Sequence, residues 1–488
     1  MDPFERRRAG VLLHPTSLPG GVGNGELGVE AFRFVEFLAD CQISLWQMLP
    51  LGPTHRDRSP YQCLSVHAGD TRLISLQRLV ETGWLDDAGL DPLQDIDAQR
   101  KVRLAAAYNG FLHRAGDETR VALDAFTEQH AGWLDDFALY QALRDDFNGC
   151  PWFDWPKPLR DRKPGALKEA RKRLAGAIEQ VRFEQFLFFQ QWMQLRRYAN
   201  DRGVLLFGDI PIFVAYDSAD VWANRQWFTL DEQGEVQVVA GVPPDYFSET
   251  GQRWGNPHYN WEGMAGDGYR WWLDRIRTQL ELFDLMRIDH FRGFEAYWEI
   301  DAASDTAIDG RWVAGPGADF FEALRQTFGR LPLVAEDLGV ITPEVTALRR
   351  QFGLPGMKIL QFAFDGSPEN PYLPHNHEPL SVVYTGTHDN NTTLGWYEEL
   401  SEEHRSFVRN YLGIDADLMP WPLVRAALAS VAQLAMLPMQ DVLGLDASHR
   451  MNIPGVAEGN WQWRFEWEQL LPEHGERLKA WVQLYGRA

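Results

Sequence analysis

Within six residues the sequence sets Arg287, Asp289, His290 and Arg292 at the end of an apolar run through Leu285, Met286 and Ile288. Taking a charge out of water costs several kcal/mol unless it is paired, so a core strand that ends in such a cluster reads as the lining of a polar pocket. Two more apolar runs end the same way, 333–335 on Glu336-Asp337 and 381–387 on His388-Asp389-Asn390. Three carboxylates, Asp289, Glu336 and Asp389, on separate strands suit the breaking of a glycosidic bond. One carboxylate attacks, a second protonates the leaving oxygen and later deprotonates the acceptor, and a third steadies the distorted ring. An ionised nucleophile needs a partner that holds its pKa down, and Arg287, two residues before Asp289, faces the same side of a strand. Asp337 faces away from Glu336, so only one of the two can enter the pocket. His290 and His388 offer neutral donors for hydroxyl groups. Singly, a His-Asp dipeptide is usually a satisfied turn and Arg-X-Asp a surface ion pair; the repetition of acid-tipped strands is what carries the reading.

Eight strand-like runs supply the scaffold: 10–14, 43–49, 204–209, the three just described, 357–364 and 436–442. Helical patterns lie between most of them, such as 28–38, and 342–350 with Thr342 as cap and Pro343 at the first helical position. Strands buried on both faces and alternating with helices give a parallel sheet, and eight such units give an α/β fold, a (β/α)8 TIM barrel with active residues at the C-terminal strand ends. The second and third strands are too far apart in sequence for one crossover. Residues 80–200 therefore read as a helical insertion subdomain, including a helix over 178–200 with Phe186, Phe189 and Met193 on one face, ended by Gly203. The barrel comprises residues 1–79 and 201–488, with a further insertion at about 215–265 whose stretches 241–247 and 251–257 read as long irregular barrel-mouth loops.

Composition sets the limits. The 488 residues, 45% hydrophobic, can bury a large core, and 47 Lys and Arg against 69 Asp and Glu give a net charge of −22. That sign repels phosphate backbones, so no nucleic-acid partner is expected. Cys41, Cys63 and Cys150 have no CxxC spacing, which points to a reducing, cytoplasmic setting. Neither a signal peptide nor a membrane span is read, since the longest apolar streak, at 186–189, stops at Gln190 and Gln191. Many of the 20 Trp lie beside Gly, Pro, Asn or Asp, as at Trp222, Trp254, Trp461 and Trp463, where a flat ring in a loop can serve as a stacking platform.

Nearly the whole chain carries motifs that resemble those of the 4-α-glucanotransferases of the amylomaltase type, or disproportionating enzymes, glycoside hydrolase family 77 of the α-amylase superfamily. They include His14-Pro15-Thr16-Ser17-Leu18-Pro19, Ser59-Pro60-Tyr61, Gly208-Asp209-Ile210-Pro211, Gly241-Val242-Pro243-Pro244-Asp245, Trp254-Gly255-Asn256-Pro257, Arg287-Ile288-Asp289-His290, Ala335-Glu336-Asp337, Thr387-His388-Asp389-Asn390 and Arg450-Met451-Asn452. The resemblance implies Asp289 as nucleophile, Glu336 as general acid/base and Asp389 as transition-state stabiliser, with Arg287, His290 and His388 around the reacting glucose. It further implies that Tyr61, Asp209, Trp254 and Asn452 contact sugar and that Phe247 lies in a mobile loop over the acceptor site. No cofactor or Ca²⁺ is expected, nor an additional N-terminal sugar-binding domain. The implied partners are α-1,4-glucans and maltooligosaccharides. The alternatives are a hydrolase using the same acids, a non-catalytic glucan-binding barrel, and a metal-dependent hydrolase built on His14, His290 and His388.

Overall fold

The computed structural model describes residues 3–244, 248–414 and 418–488. Twelve strands occur among them, in chain order β1 (Arg8–Leu12), β2 (Leu45–Gln47), β3 (Leu205–Ile210), β4 (Val238–Val242), β5 (Gln252–Pro257) and β6 (Leu285–Ile288), then β7 (Ala296–Asp301), β8 (Gly310–Ala314), β9 (Leu333–Ala335), β10 (Gly356–Ile359), β11 (Ser381–Tyr384) and β12 (Leu434–Pro438). Eight of these close an all-parallel barrel in the order β1-β2-β3-β6-β9-β10-β11-β12, with β12 pairing back to β1. The chain is therefore an eight-stranded α/β barrel of the TIM type.

Side chains alternate strictly across this wall. Leu45, Phe207, Leu285, Val334, Met357, Val382, Leu434 and Met436 fill the interior, while Trp46, Leu206, Met286, Leu333, Val383 and Ala435 face the surrounding helices. Each such burial stabilises the fold by about 1.5–3 kcal/mol. Gly10 on β1 leaves the space that Met436 occupies, since a Cβ there would lie 2.4 Å from the Met436 Cε and 2.7 Å from the Leu45 Cβ.

The strands run slightly differently from the sequence expectation. The run 436–442 is strand only to Pro438 and then turns into the helix Met439–Leu443, and 357–364 is strand only to Ile359. Of the stretches 241–247 and 251–257, expected as irregular loops, Gly241 and Val242 end β4 and 252–257 form β5 in a four-stranded antiparallel sheet of order β5-β4-β7-β8, while 245–247 lie outside the described residues. Gln-Arg-Trp-Gly-Asn-Pro has no strand pattern of its own. It is extended because β4 offers it backbone partners, with a register shift at Val239 and Gly241.

Between β2 and β3 the chain forms the helices Ile96–Arg114, Asp117–Gln129, Ala131–Asp146 and Ala175–Asp201. The last, of 27 residues, has two contexts along its length. Phe183, Phe186 and Phe189 pack on Phe111, Phe126 and Trp133 of the other helices. Beyond them, Trp192 donates to the Leu282 carbonyl and Tyr198 packs on Phe32 of the helix Val29–Asp40, so this half is the crossover helix that delivers the chain to β3.

Candidate active site

Period-two alternation aims the charged residues at the strand ends. Leu285 is inside the barrel, Met286 outside, Arg287 inside, Ile288 outside, and Asp289 follows on the inner side. On β3 the same count carries Leu205 and Phe207 to Asp209, which the parallel register sets directly beside Arg287. Arg287 Nη1 donates to both Asp209 oxygens at 2.9 and 2.7 Å, and its Nη2 donates to Asp289 Oδ1 at 2.7 Å. One guanidinium thus bridges a buried carboxylate and a partly open one, the geometry in which Arg is strongest. Although burial opposes its charge, Asp209 and Asp289 together push the Arg287 pKa well above its ordinary value. The Tyr61 hydroxyl donates to Asp209 Oδ2 at 2.8 Å and completes the chain of contacts.

Glu336 enters from β9. Val334 faces the interior and Ala335 the helices, so Glu336 turns inward and Asp337 outward, where Asp337 meets Arg349 at 3.1 Å and accepts from the Met357 amide. Both Glu336 oxygens are held by backbone: Oε2 accepts from the His290 amide at 2.7 Å and Oε1 from the Leu338 amide at 3.0 Å. His290 reaches that position only in the left-handed region, at φ 50° and ψ 50°. A non-glycine residue there costs on the order of 1 kcal/mol or more, which the contact with Glu336 helps to offset. Burial pushes the Glu336 carboxyl up to about 7, against the pull of Arg287 and with a further push from Asp289. It is therefore poised to exchange a proton near neutral pH.

The imidazole of His290 is also buried, which pushes its pKa down to about 4. Its Nε2 has no partner among the described residues, so a polar donor or acceptor stands uncommitted beside the carboxylates. Trp254 meets the ring edge-on at 5.0 Å, and Phe213 lies 6.4 Å from Trp254.

Across the mouth, Asp389 is 46% exposed, with Oδ1 held by Asn452 Nδ2 at 2.7 Å, Oδ2 3.4 Å from His388 Nε2, and its carbonyl accepting from Arg450 at 2.8 Å. His388 stacks on Tyr61 at 5.3 Å and 16°, and Trp461 closes the group at 5.9 Å from His388. Arg287 and Tyr61 connect Asp209, Asp289 and, through this stack, His388, while Glu336 is bound to the residue next to Asp289. Phe247 lies outside the described residues. Trp222, a candidate platform in the sequence, is wholly buried. His14, His290 and His388 do not form a group of three that could hold a metal. The amides of His290 and Leu338 carry no sequence signal, because any residue supplies an N–H. Trp461 and Arg450 had one, since both sit in the loop motifs.

The chain as a whole resembles known proteins. The family model described as 4-alpha-glucanotransferase matches residues 13–470. A 4-alpha-glucanotransferase of Thermus thermophilus is 51% identical, covering 98% of each chain, and one of Synechocystis sp. is 48% identical over 99% of each. An amylomaltase from Streptococcus agalactiae, solved in complex with acarbose, superimposes with a TM-score of 0.95 at 37% identity, covering 99% of this chain and 100% of that one. The chain belongs to the 4-alpha-glucanotransferases, glycoside hydrolase family 77, and is a transglycosylase of that activity.

Proposed function

We propose that the enzyme cleaves an α-1,4-glucan by double displacement with retention, Asp289 forming a covalent glucosyl–enzyme ester and Glu336 serving as acid and then base. The carboxylate of Asp289 attacks the anomeric carbon as the glycosidic bond breaks. Glu336 gives its proton to the departing oxygen, then takes one from the 4-hydroxyl of an acceptor glucan or glucose, which attacks the same carbon and releases Asp289. Asp389, held by Asn452 and flanked by His388 but half open to the mouth, accepts from ring hydroxyls as the sugar flattens. Asp209, His290, His388, Tyr61 and Trp254 bind that sugar and its neighbour, and Phe247 binds the acceptor. The observation that carries this reading is the contrast of environments. Asp289 is bridged to Arg287 at 2.7 Å, whereas burial pushes Glu336 up to about 7, and two carboxyls set apart in this way take opposite roles.

Transfer outruns hydrolysis when the acceptor is held over the ester and water is kept out, which the aromatic walls at Tyr61, Trp254 and Trp461 favour. Donor and acceptor are maltooligosaccharides or longer α-1,4-glucans, a reading supported by the acarbose bound in the similar amylomaltase. The setting is read as cytoplasmic; the three cysteines are unpaired, and no helix among the described residues is long and apolar enough to cross a membrane. Residues 80–200 are read as an insertion subdomain beside the catalytic barrel.

Maltotriose alone should yield glucose together with a ladder of longer oligomers, whereas shorter products only would replace transfer with hydrolysis. The ester itself is testable with a maltosyl fluoride, whose leaving group needs no acid. Glu336→Gln should accumulate a maltosyl adduct on the peptide carrying Asp289, seen by mass spectrometry. An adduct elsewhere, or an unmodified Asp289 peptide during turnover, would overturn the assignment.

A further inference from the structure

A second cleft, of about 400 Å³ and lined by none of the active-site carboxylates, lies where the helix Ala131–Asp146 of the long insertion faces the helix Arg270–Leu282 of the barrel. That volume lies in the range of small-molecule binding clefts. Three indoles from three separate elements line it: Trp133, Trp227 and Trp271. Trp133 is fixed by stacking on His67 at 5.7 Å and 11°, and Trp271 packs against Tyr259 and Phe228. Trp227 is half-buried and packs on no other aromatic ring among the described residues. An amphipathic ring left on a cleft wall in this way is a surface for the apolar face of a ligand.

The charges of the wall define what that ligand is. Asp136 is paired with Arg162 at 2.7 Å, Asp267 with Arg270 at 3.4 Å and Asp274 with Arg277, while Asp220 accepts from the Val66 amide at 2.9 Å. Glu281 faces His130 at 3.6 Å. His67 donates to or accepts from Thr278 at 2.9 Å, and burial pushes His67 and His130 down to about 3 and 4, so both are neutral at pH 7. Three of its acids are answered by the protein's own arginines and Asp220 by an amide, and burial pushes the Glu281 carboxyl up against the pull of Arg196. With its histidines uncharged, the cleft offers no free cation for phosphate and little unmatched charge for a cationic ligand. Indole faces bordered by paired carboxylates, amides and hydroxyls match a neutral polyhydroxylated chain, the hydroxyls bonding at the rim and the C–H faces stacking.

We propose that this cleft is a second, non-catalytic binding site for an α-1,4-glucan chain, with Trp227 as its platform. The inference rests on the reading of α-1,4-glucans as substrates. Its placement links it to the active site: the segment that carries Tyr61 there also gives Ser65 and His67 to the cleft wall. A polymer held there raises the local concentration of its own ends, whereas a trisaccharide gains nothing from it.

Two variants test the site without touching the catalytic groups. Trp227→Ala removes the platform. Gly132→Trp fills the cleft from the opposite wall, at an exposed position where a Cβ meets no atom within 4 Å. With the parent enzyme, both should raise KM for amylose about fivefold, the order expected for one lost ring contact, and leave kcat and the maltotriose KM unchanged. Calorimetric titration of maltoheptaose into Glu336→Gln should count two sites, falling to one when either cleft variant is added. Amylose kinetics unchanged in both variants, with folding verified by circular dichroism, or a single maltoheptaose site in the Glu336→Gln protein, would overturn the proposal. Failure of the catalytic reading would show itself separately, as an absent transfer ladder from maltotriose.

Discussion

At the scale of single residues, Glu336 ties chemistry to stability. A carboxyl raised from 4.5 to about 7 by burial keeps its proton in the folded chain over an interval in which the unfolded chain has released it. The native state binds more protons there, so the stability contributed by this group falls as pH rises from 4.5 through 7 and levels off above. Glu336→Gln cannot ionise and escapes that loss. Urea unfolding of both proteins across this range should show the variant gaining on the parent as pH rises, and parallel curves would refute the buried, proton-holding carboxyl. The same substitution should lower transfer from natural donors by roughly 10²–10⁴ and abolish the decline of kcat/KM above neutrality, because the lost proton donor is what that decline titrates. The carboxylates were legible in the sequence because period-two alternation is unforgiving: once 333–335 is a strand, Glu336 and Asp337 must part. The left-handed turn at His290 that aims an amide at Glu336 was not legible, since nothing in a histidine's composition announces positive φ.

At the scale of elements, the eight barrel strands were read within a few residues of their bounds, but the sheet β5-β4-β7-β8 was not. Barrel strands advertise themselves because both faces are buried, whereas these mouth strands are half-exposed, rich in Gly and Pro, and extended only through pairing with each other. The helix Ala175–Asp201 gives the converse lesson. Gln191 ended an apolar streak in the sequence, yet in the fold Gln185 and Gln191 are both buried. Their amides pair with backbone as a strand would: Gln185 with both Gly69 groups at 2.8 and 3.0 Å, Gln191 with both Ser75 groups at 2.8 and 3.3 Å. These four bonds hold the segment behind Tyr61 against this helix. Gln191→Leu, close in size, leaves a buried N–H and C=O without partners and should destabilise the protein by about 2 kcal/mol or more. Urea unfolding measures it, and a midpoint equal to the parent's would mean that other groups satisfy Ser75.

At the scale of the molecule, the site is assembled from strands distant in sequence, so its geometry depends on the barrel staying closed. Closure occurs at the seam of β1 and β12, where Arg8 pairs with Leu434 and Leu12 with Pro438. The outer end of this seam is fastened by Arg487, fully buried, which donates to the carbonyls of Leu428, Arg8, Ser430 and Ala432 at 2.7, 3.0, 2.8 and 2.9 Å. Arg7 adds a bond to the Tyr485 carbonyl at 2.8 Å. A guanidinium spends five donors in a fixed fork, so it can serve several carbonyls at once where no other side chain can. Arg487→Ala opens a cavity and strands buried acceptors, a loss of on the order of 3 kcal/mol. Because the Arg487 fastening lies at the opposite strand ends from the carboxylates, the variant that remains folded should turn over maltotriose at the parent rate and lose activity only as it unfolds, the two curves coinciding in urea. Activity lost well before the fold would mean that the seam transmits strain to Asp289 and Asp389. An unchanged midpoint would show that the carbonyls find other partners.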